Sequence, residues 1–155
     1  MQNDAPSPAP LPLDLNDESS TPLTGAAFAP SPALIERLAM EARAALPEPW
    51  RAHALQVALR IEDFAPEDML DSLDIHDPFE LTGIYEGTPL TERSVMDQPL
   101  QPDTIWLFRR AILDEWADRG NVSLSELVGH IMIHELAHHF GWSDEDIAKI
   151  DPWWE

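Results

Sequence analysis

Residues 122–146 read VSLSELVGHIMIHELAHHFGWSDED, and they decide how the rest of the chain is interpreted. His134 and His138 are four residues apart, so on a helix they share one face, a turn from each other. That face offers two imidazoles to one metal ion. Glu135 stands beside them, placed to take a proton from a water in the same site. A purely structural pair of histidines is the competing interpretation, but two imidazoles and a carboxylate are costly to bury without a function. The helix carries its own start signal. Ser123 and Glu126 have the spacing of a capping box, with Val122 and Leu127 placed for a hydrophobic staple. Gly141 is a stop signal. Between them Leu124, Leu127, Val128, Ile131, Met132 and Leu136 anchor the helix in a core.

Two histidines leave a catalytic zinc site incomplete, because a third protein ligand is needed with one position open. Asp144 follows Gly141, and a glycine there lets the chain turn sharply and bring the aspartate back. A different role is also open to Asp144. Ser143 and Asp146 have the spacing to cap a last helix, with Asp144 as a favourable acid in its first turn. Glu145 and Asp146 are the nearest substitutes as ligand. His130, one turn before His134, is too far along the helix to complete the site; it lines the cleft or donates to an acid. His139 points about a quarter-turn from His138 and is expected to be structural.

The string His134-Glu135-x-x-His138-x-x-Gly141-x-x-Asp144 resembles the extended zinc motif of metzincin proteases, with aspartate in place of the third histidine. More closely, the chain resembles the minimal-zincin family of small bacterial proteins. The likeness spans roughly residues 32–150 and includes LTGIYEGTPLTER at 81–93 and IWLFRR at 105–110. It implies that His134, His138 and Asp144 hold Zn2+ and that Glu135 is the general base.

Composition narrows the classes. The chain has 155 residues, which suits one domain with a real core. Cysteine is absent, so neither disulfides nor thiolate zinc sites are possible. No basic start leads into an apolar run, and no stretch is long enough to span a membrane. The expected location is the cytoplasm. A formal charge of −20 argues against nucleic acid and anionic membranes as partners. The charge favours solubility and reads equally as an ordinary solvated surface.

Residues 1–31 are rich in proline and acids and contain no Lys or Arg, which predicts a disordered arm. Residues 32–155 are expected to form a single domain. A first helix is predicted over 33–46, with Leu34, Leu38 and Leu46 as its stripe, Ser31 as cap and Pro32 at its first position. Trp50 is expected to cover the core. Strands are predicted at 54–61, at Phe79–Tyr85 and at 104–108, with a short helix over 67–74. His76 beside Asp77 is read as a loop histidine. Arg109 and Arg110 pair with acids or bind a substrate carboxylate. A helix is predicted over 111–118, and a last one from about 144 to Ile150. Trp153 and Trp154 pack back on the body or form an exposed contact patch.

The expected fold is α+β: a small mixed sheet packed against the N-terminal helix and the metal helix, zincin-like by resemblance. In zincins a sheet edge above the metal pairs with an extended peptide by strand addition; strand 104–108 is the candidate. Tyr85 is a candidate donor to developing oxyanion charge, or a packed core tyrosine. The expected function is that of a zinc-dependent metallopeptidase, its substrate a peptide or an unfolded protein segment. Two alternatives stay open: a non-catalytic zinc-stabilised protein-binding module, and a zinc hydrolase of small amides. The oligomeric state is not readable.

Overall fold

A computed structural model describes residues 29–92 and 102–145. The chain divides into two units, Met1–Pro30 and Ser31–Glu155. The fold concerns the second. Residues 1–28 of the proposed arm, residues 146–150 of the expected last helix and the tryptophans at 153 and 154 lie outside the described residues.

Helix α1 runs from Pro32 to Ala44. Ser31 caps it, its hydroxyl accepting from the Leu34 N–H at 3.1 Å, and proline at the first position costs no hydrogen bond. Its innermost line is Ile35, Ala39 and Arg43, all buried. The expected leucines 34, 38 and 46 flank that line, partly buried. Arg43 is tolerated inside because its guanidinium donates to the Val57 carbonyl at 2.9 Å.

A short helix α2, Trp50–Ala54, precedes the sheet and takes only the first residue, Ala54, of the segment expected to be strand. Glu48 explains it locally. Its carboxylate accepts from the Ala52 N–H at 3.2 Å and pairs with Arg51 at 2.8 Å, organising a turn before any strand begins. Strand β1 is therefore Ala58–Glu62. Trp50 stays 39% exposed and reaches the body through Phe140, at a ring-centroid distance of 5.0 Å. Helix α3 follows at Glu67–Ser72, with Leu70 buried and Leu73 exposed.

Phe79 lies in a 3-10 helical turn, Pro78–Glu80, not in the expected strand. Asp77 caps that turn, accepting from the Phe79 N–H at 3.0 Å. Strand β2 is only Gly83–Glu86. A second 3-10 turn, Leu90–Glu92, comes next. Strand β3 is Thr104–Phe108, as expected, and helix α4, Arg109–Arg119, follows it directly. Arg109 pairs with Asp63 at 3.2 Å, the structural role foreseen for it, and Arg110 lies over the Phe64 ring. Helix α4 ends at Gly120, whose φ of 74° is left-handed. Helix α5 is Leu124–His139, with both hydrogen bonds of the Ser123/Glu126 capping box formed.

The sheet order is β1-β3-β2, with β3 parallel to β1 and antiparallel to β2. So β3 is the central strand, and the expectation that it forms the peptide-binding edge is corrected. Its composition gives the reason. Ile105 and Leu107 face the core of α1 and α5, while Phe108 and Trp106 join a second cluster with Leu70 and Ala111 on the other face. Burying such side chains stabilises by about 1.5–3 kcal/mol each, and only a central strand covers both faces fully.

Among the described residues, five helices and three strands form an α+β fold. Helix α1 meets β1, and helix α5 packs against α1 and against β2 and β3. Gly129 brings it close to α1, where a Cβ would stand 3.7 Å from Ala42 Cβ. Gly83 brings it close to β2, where a Cβ would stand 3.0 Å from Ile131. Among the described residues no helix is long and apolar enough to cross a membrane.

Candidate metal centre

The last two turns of α5 carry His134 and His138, with ring centroids 5.0 Å apart and planes at 79°. The helix then closes by two reversed hydrogen bonds, Gly141 N–H to His138 O at 3.0 Å and Trp142 N–H to Ala137 O at 2.9 Å. This is a Schellman ending, which needs a left-handed residue after the cap. Gly141 supplies it with a φ of 99°. The reversal brings Asp144 back over the helix. Its Oδ1 lies 3.1 Å from His134 Nε2 and 3.0 Å from His138 Nε2.

The same turn orients one ligand. His138 Nδ1 lies 2.9 Å from the Trp142 carbonyl. A carbonyl only accepts, so Nδ1 carries a proton, which leaves Nε2 as the nitrogen available to a metal. The three ligand atoms of His134, His138 and Asp144 lie within 4.8 Å of one another. Corners of a zinc tetrahedron are roughly 3.3 Å apart when the ligand bonds are about 2.0 Å. Two imidazoles and a carboxylate, partly open to solvent, fit a zinc ion with a position left over. His130 and Glu145 are not in the convergent group. Residues 144 and 145 begin a helical turn, so Asp144 has the foreseen first-turn position and reaches the histidines as well.

Glu135 points to the sheet side of this group. Burial is the largest influence on its carboxyl and pushes it up to about 7. His138 pulls it down, Asp144 pushes it up, and a hydrogen bond from the Tyr85 backbone N–H pulls it down. A carboxylate held near neutrality is suited to accepting and returning a proton. A cation at the three ligand atoms would draw it lower.

Tyr85 thus meets Glu135 through its backbone. Its hydroxyl donates to Asp103 Oδ2 at 3.1 Å and lies 2.9 Å from His139 Nδ1. A phenol has one proton. That proton goes to Asp103, so the hydroxyl lies in a group with Asp103 and His139. Asp103 and His139 are both buried, and His139 is structural as expected. Asp103 went unnoticed in the sequence because it lies at the end of a polar loop; its position directly before the strand Thr104–Phe108 was the available hint. The Trp142 carbonyl is backbone and leaves no trace in residue type. His76 stands on an exposed loop, its side chain 92% accessible.

The edge nearest Glu135 is β2. Phe108 N–H donates to Thr82 O at 2.9 Å, which makes Thr82 and Phe108 a hydrogen-bonded antiparallel pair. Bonding alternates along such a ladder. Gly83 and Tyr85 therefore turn their backbone groups away from β3, outward along the edge.

No curated protein matches the chain. The family model of zincin-like metallopeptidases matches residues 54–154, more than half of the chain, and includes β1–β3, α5 and the convergent ligands. With the fold and the site described, that match establishes that the chain belongs to the zincin-like metallopeptidase family.

Proposed function

We propose that the protein is a zinc-dependent metallopeptidase that hydrolyses peptide bonds in extended or unfolded segments. One observation carries this: His134 Nε2, His138 Nε2 and Asp144 Oδ1 converge with the partly buried Glu135 carboxyl alongside. The zinc, when bound, would supply Lewis acidity toward the scissile carbonyl and toward water. The Trp142 carbonyl holds His138 in the tautomer that can ligate. The outward backbone groups of Gly83 on the β2 edge are suited to pair with an extended chain, and main-chain pairing favours low side-chain selectivity. Water adds to the carbonyl carbon while Glu135 accepts its proton. As the C–N bond breaks, Glu135 passes that proton to the departing amine. The absence of cysteine fits work in a reducing compartment such as the cytoplasm.

The test pairs metal content with turnover. Elemental analysis of dialysed protein should find about one zinc per chain. The loaded protein should cleave members of an unstructured peptide library. Glu135→Gln should keep the zinc and the fold and lose cleavage by about 100-fold or more. Cleavage unchanged in that variant would refute the assignment of the base. A zinc-loaded wild type that cleaves neither peptides nor small amides would favour a binding module.

A further inference from the structure

Thr91 and Gly141 are distant in sequence and in contact in the fold. A Cβ added to Gly141 would overlap Thr91 Oγ1, would lie 2.5 Å from Thr91 Cγ2 and would lie 3.0 Å from Thr91 Cβ. The Gly141 Cα is therefore packed against the whole Thr91 side chain. Gly141 is the residue whose left-handed φ turns the chain toward Asp144. Thr91 in turn sits in the 3-10 turn Leu90–Glu92, closed by the Glu92 N–H to Pro89 O bond at 2.9 Å. The chain leading to it is fixed at its start. Tyr85 is bonded to Asp103, and a Cβ at Gly87 would overlap the same Asp103 carboxylate. A segment anchored on the sheet thus reaches over and rests on the turn that carries the third ligand.

We propose that Thr91 is a positioning residue for the metal centre. By filling the space over Gly141 it holds the turn closed, and so holds Asp144 Oδ1 over the two imidazoles. The inference rests on the zinc reading above and adds to it a residue outside the motif helix. The contact is one of shape, made by Oγ1 and Cγ2 together. Valine, with the same outline, replaces threonine there, whereas alanine leaves the turn unsupported.

The experiment measures zinc affinity by competition with a chromophoric chelator, together with the visible spectrum of the cobalt-substituted protein. Thr91→Ala should weaken zinc by about 10-fold, the lower end of the effect of losing an outer-shell partner, and should change the cobalt spectrum. Thr91→Val should bind within about 2-fold of wild type, since shape-conserving swaps are tolerated best. In an Asp144→Ala background, Thr91→Ala should have little further effect, because its influence passes through Asp144. Thermal unfolding of the metal-free proteins separates ligand placement from general damage. Affinity unchanged in Thr91→Ala, or a loss equally large in the Asp144→Ala background, would overturn the proposal while leaving the zinc site standing. A wild type that takes up no zinc would overturn both.

Discussion

His138 and His139 are neighbours in the chain, and each has an aspartate oxygen about 3 Å from a ring nitrogen, yet they belong to opposite kinds of site. His138 Nε2 lies 3.0 Å from Asp144, with side-chain exposures of 26% and 80%. His139 Nδ1 lies 3.1 Å from Asp103, with exposures of 2% and 7%. Around His139 the Tyr85 hydroxyl closes the group, so the phenol, the Asp103 carboxylate and His139 Nδ1 meet one another inside the protein. Around His138 a second imidazole points at the same aspartate oxygen, and solvent has access. The first arrangement ties β2, the start of β3 and the end of α5 together. The second gathers lone pairs that an ion can use. Burial and convergence, not the presence of His and Asp, separate a brace from a ligand set.

The largest expected effect breaks the exposed group. His138→Ala should lower zinc affinity by about a thousandfold, beyond the 10–100-fold typical of losing an outer partner. Asp144→Ala should also weaken zinc. Because Asp144 is so exposed, its metal-free stability should shift by no more than about 0.5 kcal/mol. Chelator competition and thermal unfolding of the same samples give both numbers.

Asp103→Ala should do the reverse. It takes the carboxylate away from the partly buried Tyr85 hydroxyl and the buried His139 ring, and unfolding in urea should show a loss of about 3 kcal/mol. A stability equal to wild type would mean that the buried group is not a brace.

A third effect links the two groups through Glu135. Its carboxyl is raised in the fold from 4.5 to about 7, chiefly by burial. A raised carboxyl contributes stability that is fully present below the unfolded value and is lost as pH climbs through the folded one. Metal-free wild type should therefore weaken relative to Glu135→Gln between about pH 4.5 and pH 8, by up to roughly 3 kcal/mol. Unfolding curves for the two proteins across that range check the sign. A gap that widens toward acid would refute the burial of Glu135 as its cause. Zinc should shrink the gap, since the cation favours the charged form.

Tyr85→Phe is the smallest test. Removing one hydroxyl from a group that keeps its Asp103–His139 contact should cost about 1 kcal/mol. Zinc affinity and peptide cleavage should stay as they were, because Tyr85 reaches Glu135 by its backbone N–H. A large fall in turnover alone would restore the phenol to the reaction.

What was legible from residues was local. Helix α5, its Ser123/Glu126 start, the Gly141 stop and the two histidines are written in neighbours three and four apart, and all stand where expected. Strand β3 is legible from its apolar run. Helix α2 was not foreseen because it is a single turn organised by Glu48 just ahead of the 54–61 stretch, whose partial apolar alternation resembles a strand from its first residue. The turn at Pro78–Glu80 was hidden because Phe79 looks like the first residue of the strand that follows.

By itself the sequence determined the chemistry offered: two imidazoles on one helical face, a carboxylate between them, and a glycine able to reverse the chain. Spacing along a helix is enough for that, since the backbone repeat places i and i+4 together wherever the helix lies. Only the tertiary structure decided which strand is the edge, because strand order follows from covering both faces of β3. It alone sent the Tyr85 hydroxyl to Asp103 and the Tyr85 backbone to Glu135, and it alone set Thr91 against Gly141. Those pairings join residues far apart in the chain, and nothing in the local periodicity of either partner encodes the other.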